Sequence, residues 1–348
     1  MRQDVFDGHN DVLLRLWRAG DHEGTTFLDP KATSGHLDLP RARAGGMVGG
    51  LFATFIPPSG RTPDAPERPI DGNMADIPSA DQPSGLAISL EQAAILSRMA
   101  RRRPDLLRQC RSVDDITNAR ADGALAAVLH MEGADGLDPD LGALEVLYNA
   151  GLRSLGPVWS RQNAFGYGVP FRFPATPDIG PGLTEAGGRL VARCNELGIL
   201  IDLSHLNAAG FWDVAKISTD PLVATHSNVH ALSPSSRNLT DDQLAAIRDS
   251  EGVVGLNYAT FFLREDGRRE DVGLDVAIRH LDYLVTHLGE DGVALGSDFD
   301  GAPPPSAIGD AAGLPNLVGA MRDAGWGDTL IGKVCCDNWL GVLARTWR

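Results

Sequence analysis

Six side chains in this sequence have the chemistry to hold and use divalent metal ions: His9, Asp11, Glu132, His205, His226 and Asp298. Each closes an apolar run. Val5-Phe6-Asp7-Gly8-His9-Asn10-Asp11 ends in a His-x-Asp pair, and four later runs end in Glu132, His205, His226 and Asp298. Two residues apart on a strand, His9 and Asp11 are expected on one side, where an imidazole and a carboxylate make half of a metal site. Three imidazoles and three carboxylates together suit a pair of divalent cations. Glu132 is the best bridge between them, because its two oxygens can each hold one ion. Mixed nitrogen and oxygen ligation favours zinc, with manganese or cobalt as substitutes.

The remaining histidines sort by context. His130 stands two before Glu132 on the same strand face, so it either lines the pocket or is a buried, hydrogen-bonded structural residue. His36-Leu37-Asp38 repeats the His-x-Asp spacing but does not end an apolar strand, and it reads as a decoy. His280 and His287 lie on a predicted helix and belong to its outer ring, while His22 and His230 sit in loops without a pattern.

Convergence of these residues requires the ends of several strands to face one centre. Eight short apolar runs do alternate with helix-period segments: 5–11, 47–55, 124–132, 152–159, 199–205, 222–226, 253–258 and 293–298. That pattern predicts a parallel α/β fold. The segments Leu90–Cys110, Thr184–Leu197, Thr240–Asp249 and Leu274–Leu288 carry apolar residues at three- and four-residue intervals and predict helices. Eight strand-helix units fit a (β/α)8 TIM-type barrel, in which catalytic residues gather at the C-terminal ends of the strands. Such a barrel needs about 250 residues. The surplus falls largely into two Pro- and Gly-rich excursions, 57–85 after the second strand and 161–182 after the fourth, within a single domain spanning 1–348.

Bulk properties exclude other classes. A formal charge of −15 argues against a nucleic-acid footprint. No run approaches the roughly 18 apolar residues of a membrane span, and no secretory segment precedes the first strand, so a soluble cytoplasmic protein is expected. Cys110, Cys194, Cys335 and Cys336 form no disulfide framework; the adjacent pair lies in an apolar helical stretch and reads as buried thiols.

Six ordered motifs then resemble the membrane dipeptidase (renal dipeptidase-like) zinc peptidase family. They are Asp7-Gly8-His9-Asn10-Asp11, Met131-Glu132-Gly133, Asp202-Leu203-Ser204-His205, Thr225-His226-Ser227, Ser236-Arg237-Asn238 and Gly296-Ser297-Asp298-Phe299-Asp300-Gly301, spread over nearly the whole chain. The resemblance implies a metal-dependent hydrolase barrel with two zinc ions, one held by His9, Asp11 and Glu132, the other by Glu132, His205 and His226. It also implies a hydroxide between the ions that attacks a peptide carbonyl, Asp298 as general base and then acid, and a homodimer. Arg237, in the loop after the sixth strand, would clamp the C-terminal carboxylate of a dipeptide through a planar two-point contact.

One position departs from the family pattern. Many members place a carbonyl-polarising histidine after the fourth strand, where this chain has Trp159. An indole offers one N–H donor and does not titrate. Dizinc hydrolysis of dipeptides with a free C-terminal carboxylate is therefore the leading expectation, with Trp159 and His130 as candidate substrate contacts. A related amidohydrolase acting on N-acyl amino acids, lactones or cyclic amides is the alternative, and a non-catalytic metal-binding scaffold is the rival from another class.

Overall fold

The computed structural model describes residues 3–29, 34–58 and 81–348. Its strands are β1 (Val5–Asn10), β2 (Met47–Phe55), β3 (Leu107–Gln109), β4 (Leu125–Glu132), β5 (Leu152–Gly156), β6 (Leu200–Ile201), β7 (Val223–Ala224), β8 (Val253–Asn257) and β9 (Val293–Gly296). All pair in parallel, in two arcs, β1-β2-β4-β5-β6 and β7-β8-β9. Two isolated parallel bridges join the arcs, Asp202 to Val223 and Asn10 to Phe299. The result is a closed eight-stranded (β/α)8 barrel. β3 stands outside the ring beside the first residues of β4, where β5 has not yet begun.

Strand alternation divides inside from outside. Along β4, Leu125, Ala127, Leu129 and Met131 join the large core between strands and helices, apart from Ala126 and Val128, which with Phe6, Leu51, Leu200, Val223, Val253 and Ala294 form the packed lower interior. His130 and Glu132 continue that inward face toward the strand C-termini. The base is plugged by Trp339 of the helix Asn338–Thr346, whose indole N–H donates to the Leu295 carbonyl. Glycines make room for it. A Cβ at Gly8 would overlap the indole and the Thr225 carbonyl oxygen, and one at Gly255 would lie 3.1 Å from the same ring.

The helices start where side chains can cap them. Thr240 and Gln243 form a capping box for Asp241–Asp249, Thr184 caps Glu185–Leu197, and Leu274–Leu288 has the bounds its apolar spacing predicts. Two expectations needed correction. The helix predicted over Leu90–Cys110 runs from Gln82 to Arg102 and gives way to β3, because Pro104 cannot continue it. Its early start shortens the 57–85 excursion: Asp81 accepts from the Ser84 N–H, and Pro83 sits in the first turn, where its missing N–H has no helical partner to lose. Most of that excursion lies outside the described residues. The 161–182 excursion is described and carries no helix or strand, only bridges such as Gly168 to Leu206. No helix among the described residues is long and apolar enough to cross a membrane.

Candidate metal centre

The strand ends bring the six side chains to one place, though not all by regular strand geometry. Glu132 is the last residue of β4. His205, His226 and Asp298 lie in the turns just past β6, β7 and β9. His205 and Asp298 have φ of 72° and 57°, a left-handed backbone that costs a non-glycine residue about 1–2 kcal/mol and clusters at functional sites. His9 and Asp11 do not share a face through simple alternation as the sequence suggested. The β1–β2 register shifts between Asp7 and Asn10, and Asp11 already stands at the start of the helix Val12–Arg18. Asp298 donates its N–H to the His9 carbonyl, and Asp11 donates to the Phe299 carbonyl, which ties the end of β1 to the turn after β9.

The candidate ligand atoms crowd together. His9 Nε2 is 3.4 Å from Asp11 Oδ2 and 3.7 Å from Glu132 Oε1, while His205 Nε2 and His226 Nε2 lie 2.9 and 3.5 Å from the same Glu132 oxygen. Two groups drawn from these six residues offer atoms mutually within 4.8 Å, His9–Glu132–His226 and His9–Asp11–Asp298. Both ring nitrogens of His9 and Oδ1 of Asp11 are buried with no protein partner, an arrangement expected of atoms meant for a ligand. Burial lifts Glu132 well above the usual carboxylate range, and burial together with the Asp11 charge lifts Asp298 to about 7. Burial opposes charge on His9 as well, but Glu132, Asp11 and Asp298 outweigh it and push its pKa to about 10. The cluster therefore attracts positive charge. Burial, reinforced by neighbours such as Arg237 and His9, holds His205 and His226 well below 6.5, neutral and with lone pairs to give. This donor set fits divalent metal ions.

Outer residues orient the candidate ligands. His226 Nδ1 lies 2.8 Å from Thr225 Oγ1, which donates to Asp202 Oδ2 at 2.6 Å. His205 Nδ1 lies 2.7 Å from Ser160 Oγ. Asn257 donates to Asp298 Oδ2 at 2.9 Å, and Asp7 accepts from the Ser297 backbone and hydroxyl beside it. Sequence reading did not single out Ser160, Thr225, Asp202 or Asn257 for these roles. Asp202 and Thr225 did fall inside recognised motifs, each one to three residues before a ligand histidine.

The other candidates have definite places. Arg237 is buried beside the ligands, 4% exposed; Nη1 donates to Ser227 Oγ at 2.7 Å, Nη2 to the His226 carbonyl at 2.9 Å, and Nε to His205 Nδ1 at 3.2 Å. Burial lowers its pKa to about 10, so it stays charged at neutral pH. Trp159 is half-buried at the mouth, its ring 5.1 Å from Phe55, 5.8 Å from Phe171 and 5.9 Å from His205. Phe171 continues this aromatic wall to Phe262. His130 lies lower, with no exposed surface, beneath the ligands rather than at the mouth. His36 has a structural role: its Nδ1 accepts the Asp300 N–H, and Asp38 caps the helix Leu39–Gly45. His280 is likewise structural, accepting from the Val229 N–H.

A closed parallel barrel with imidazoles and carboxylates converging at its strand C-termini has the arrangement of a metal-dependent enzyme. The chain belongs to the membrane dipeptidase family, peptidase family M19, whose model matches residues 1–347. It is similar to a metallo peptidase from Rhodobacter sphaeroides solved with a phosphinate mimic of the dipeptide L-Ala-D-Ala, at 51% identity over 100% of both chains with a TM-score of 0.96. A second solved M19 metallo peptidase, a dipeptidase, is 50% identical over 100% of this chain and 99% of its own, with a TM-score of 0.94. A curated relative from Klebsiella pneumoniae, an uncharacterized protein in the pqqA 5' region, is 51% identical over 74% of this chain and 96% of its own. The protein is thus an enzyme, a metallopeptidase of the dipeptidase type.

Proposed function

We propose that this enzyme uses two zinc ions to hydrolyse dipeptides that carry a free C-terminal carboxylate. His9, Asp11 and Glu132 would hold one ion, and Glu132, His205 and His226 the other. Bound there, the pair would supply Lewis acidity toward the scissile carbonyl and lower the pKa of water. The chain's own groups do the rest. Asp298, oriented by Asn257, takes a proton from the nucleophile and returns it to the leaving amine nitrogen.

The observation that carries the substrate class is Arg237, a buried guanidinium against the ligand shell. A neutral imidazole that ligates through Nε2 carries its proton on Nδ1. In His205 that proton goes to Ser160 Oγ, 2.7 Å away. The Arg237 Nε–H, itself only a donor, then loses its acceptor on His205 and is left to a carboxylate. Trp159, at the position of the family histidine, forms with Phe55 and Phe171 an aromatic wall that would exclude water beside the scissile bond.

A panel of dipeptides, the same dipeptides amidated at the C-terminus, and N-acyl amino acids tests this reading on zinc-loaded enzyme. Free dipeptides should be cleaved and amidated ones should not. Arg237→Lys, which cannot grip a carboxylate at two points, should raise KM by about tenfold to a hundredfold, the worth of one charge-assisted contact. Faster cleavage of N-acyl amino acids than of every dipeptide would favour the amidohydrolase alternative. An unchanged KM in the variant would remove Arg237 from the substrate.

A further inference from the structure

Of the three ligand imidazoles, two have a visible partner for the nitrogen that faces away from the metals. His226 has Thr225, itself bonded to Asp202, and His205 has Ser160. His9 has none, and its Nδ1 is fully buried. Directly against it lies a second buried group with the same deficit. His130 packs edge-on to His9, ring centres 5.3 Å apart; its Nδ1 is taken by Ser154 Oγ at 2.8 Å, and its Nε2 has no partner. Asp202 Oδ2 is 3.7 Å from that Nε2, too far for a hydrogen bond. His9, His130 and Asp202 each present an atom within 4.8 Å of the other two. Atoms no more than 4.8 Å apart leave a point between them within about 2.8 Å of each, which is hydrogen-bond reach.

We propose that this triangle is a binding site for one internal water molecule, and that His130 is the positioning residue for His9. With the His130 Nδ1–H given to Ser154 Oγ, 2.8 Å away, the Nε2 lone pair faces the triangle. The water accepts from His9 Nδ1–H and donates to His130 Nε2 and Asp202 Oδ2, so every buried polar atom there gains a partner. His9 is held in the tautomer whose Nε2 lone pair points to the metal. Asp202 then serves two ligands at once, His226 through Thr225 and His9 through the water. A cation is the poorer occupant. Asp202 already accepts from the Thr225 and Ser204 N–H groups and the Thr225 hydroxyl, and a third dication would sit against the two above it. This inference rests on His9 being a metal ligand, as in the function proposed above.

Zinc affinity of the metal-stripped protein, measured by competition with a chelating dye, reads the proposal without reference to turnover. His130→Phe keeps the bulk and removes the acceptor. It should weaken the ion held by His9 about tenfold to a hundredfold, as loss of a ligand's outer partner does, while the ion held by His205 and His226 keeps its affinity and the metal-free Tm does not fall. Ser154→Ala, which only frees the His130 tautomer, should weaken the same ion by a few-fold and decides the matter if His130→Phe fails to fold. Unchanged affinity in the variant that folds overturns the proposal. Three zinc equivalents in the wild type and two in His130→Phe would replace the water by a cation and overturn it as well. A wild type that binds no zinc would defeat the functional reading itself, a result distinct from both.

Discussion

The two halves of the barrel interior are built from the same strands and differ in almost everything else. Below, Phe6, Ala126, Val128, Leu200, Val223, Val253 and Ala294 belong with Trp339 to one buried apolar cluster. Above, one or two inward positions further along each strand, the same faces carry His130, Glu132, Asp202, Thr225 and Asn257. The lower half gains stability from apolar burial. The upper half spends stability by burying carboxylates and imidazoles whose charge a cation would neutralise, and it is where the proposed chemistry lies. What separates them is only position along the strand, so stability and activity should respond separately to mutation.

Two substitutions can break that division. Glu132→Ala has the largest expected effect. It removes the one side chain shared by both proposed metal sites, and kcat/KM should fall by at least about a thousandfold, the several kcal/mol expected of metal assistance. The metal-free protein should be at least as stable to urea, because a buried acid has gone. Trp339→Ala is the mirror image. Loss of a fully buried indole, 0% exposed, should cost about 3–5 kcal/mol in unfolding free energy, with zinc affinity unchanged under conditions where the protein is folded. A Trp339 variant that lost zinc before it lost structure would show that the halves are coupled.

His280 offers a graded version in the outer shell. Burial lowers its pKa from 6.5 to about 4. The unfolded chain therefore binds a proton that the folded one refuses between these values, and stability is complete above about pH 6.5 and falls as pH drops toward 4. The difference is on the order of 3 kcal/mol. His280→Gln should flatten urea-unfolding curves measured across that window, while an unchanged slope would mean His280 titrates normally in the fold.

The fold and the ring of ligand candidates were legible in the sequence for a simple reason. Five strands, β1, β4, β6, β7 and β9, lead from an apolar run to an ionisable residue, and in a parallel barrel all such ends face one way. Leu274–Leu288 was legible because its apolar spacing is uninterrupted. The rest depends on neighbours brought in by other strands. Ser160 matters because the turn after β5 meets His205, and Asn257 because β8 lies beside β9; neither pairing has a local signal. The β1 ending shows a limit of periodicity, since a register shift, not alternation, brings His9 to Asp11. Gln82–Arg102 starts inside a stretch whose Pro and Gly read as loop, because Pro83 is compatible with a first turn. His130 could be read either as pocket or as core; its place under His9 was visible only once Ser154 and Asp202 stood around it.

Metal content measured against turnover tests the central claim most directly. Protein stripped by chelation and titrated with zinc, with bound metal and dipeptide hydrolysis followed in the same samples, should reach full activity at two equivalents per chain. Full hydrolysis by metal-free protein, or saturation at a single equivalent, would contradict a two-metal centre bridged by Glu132.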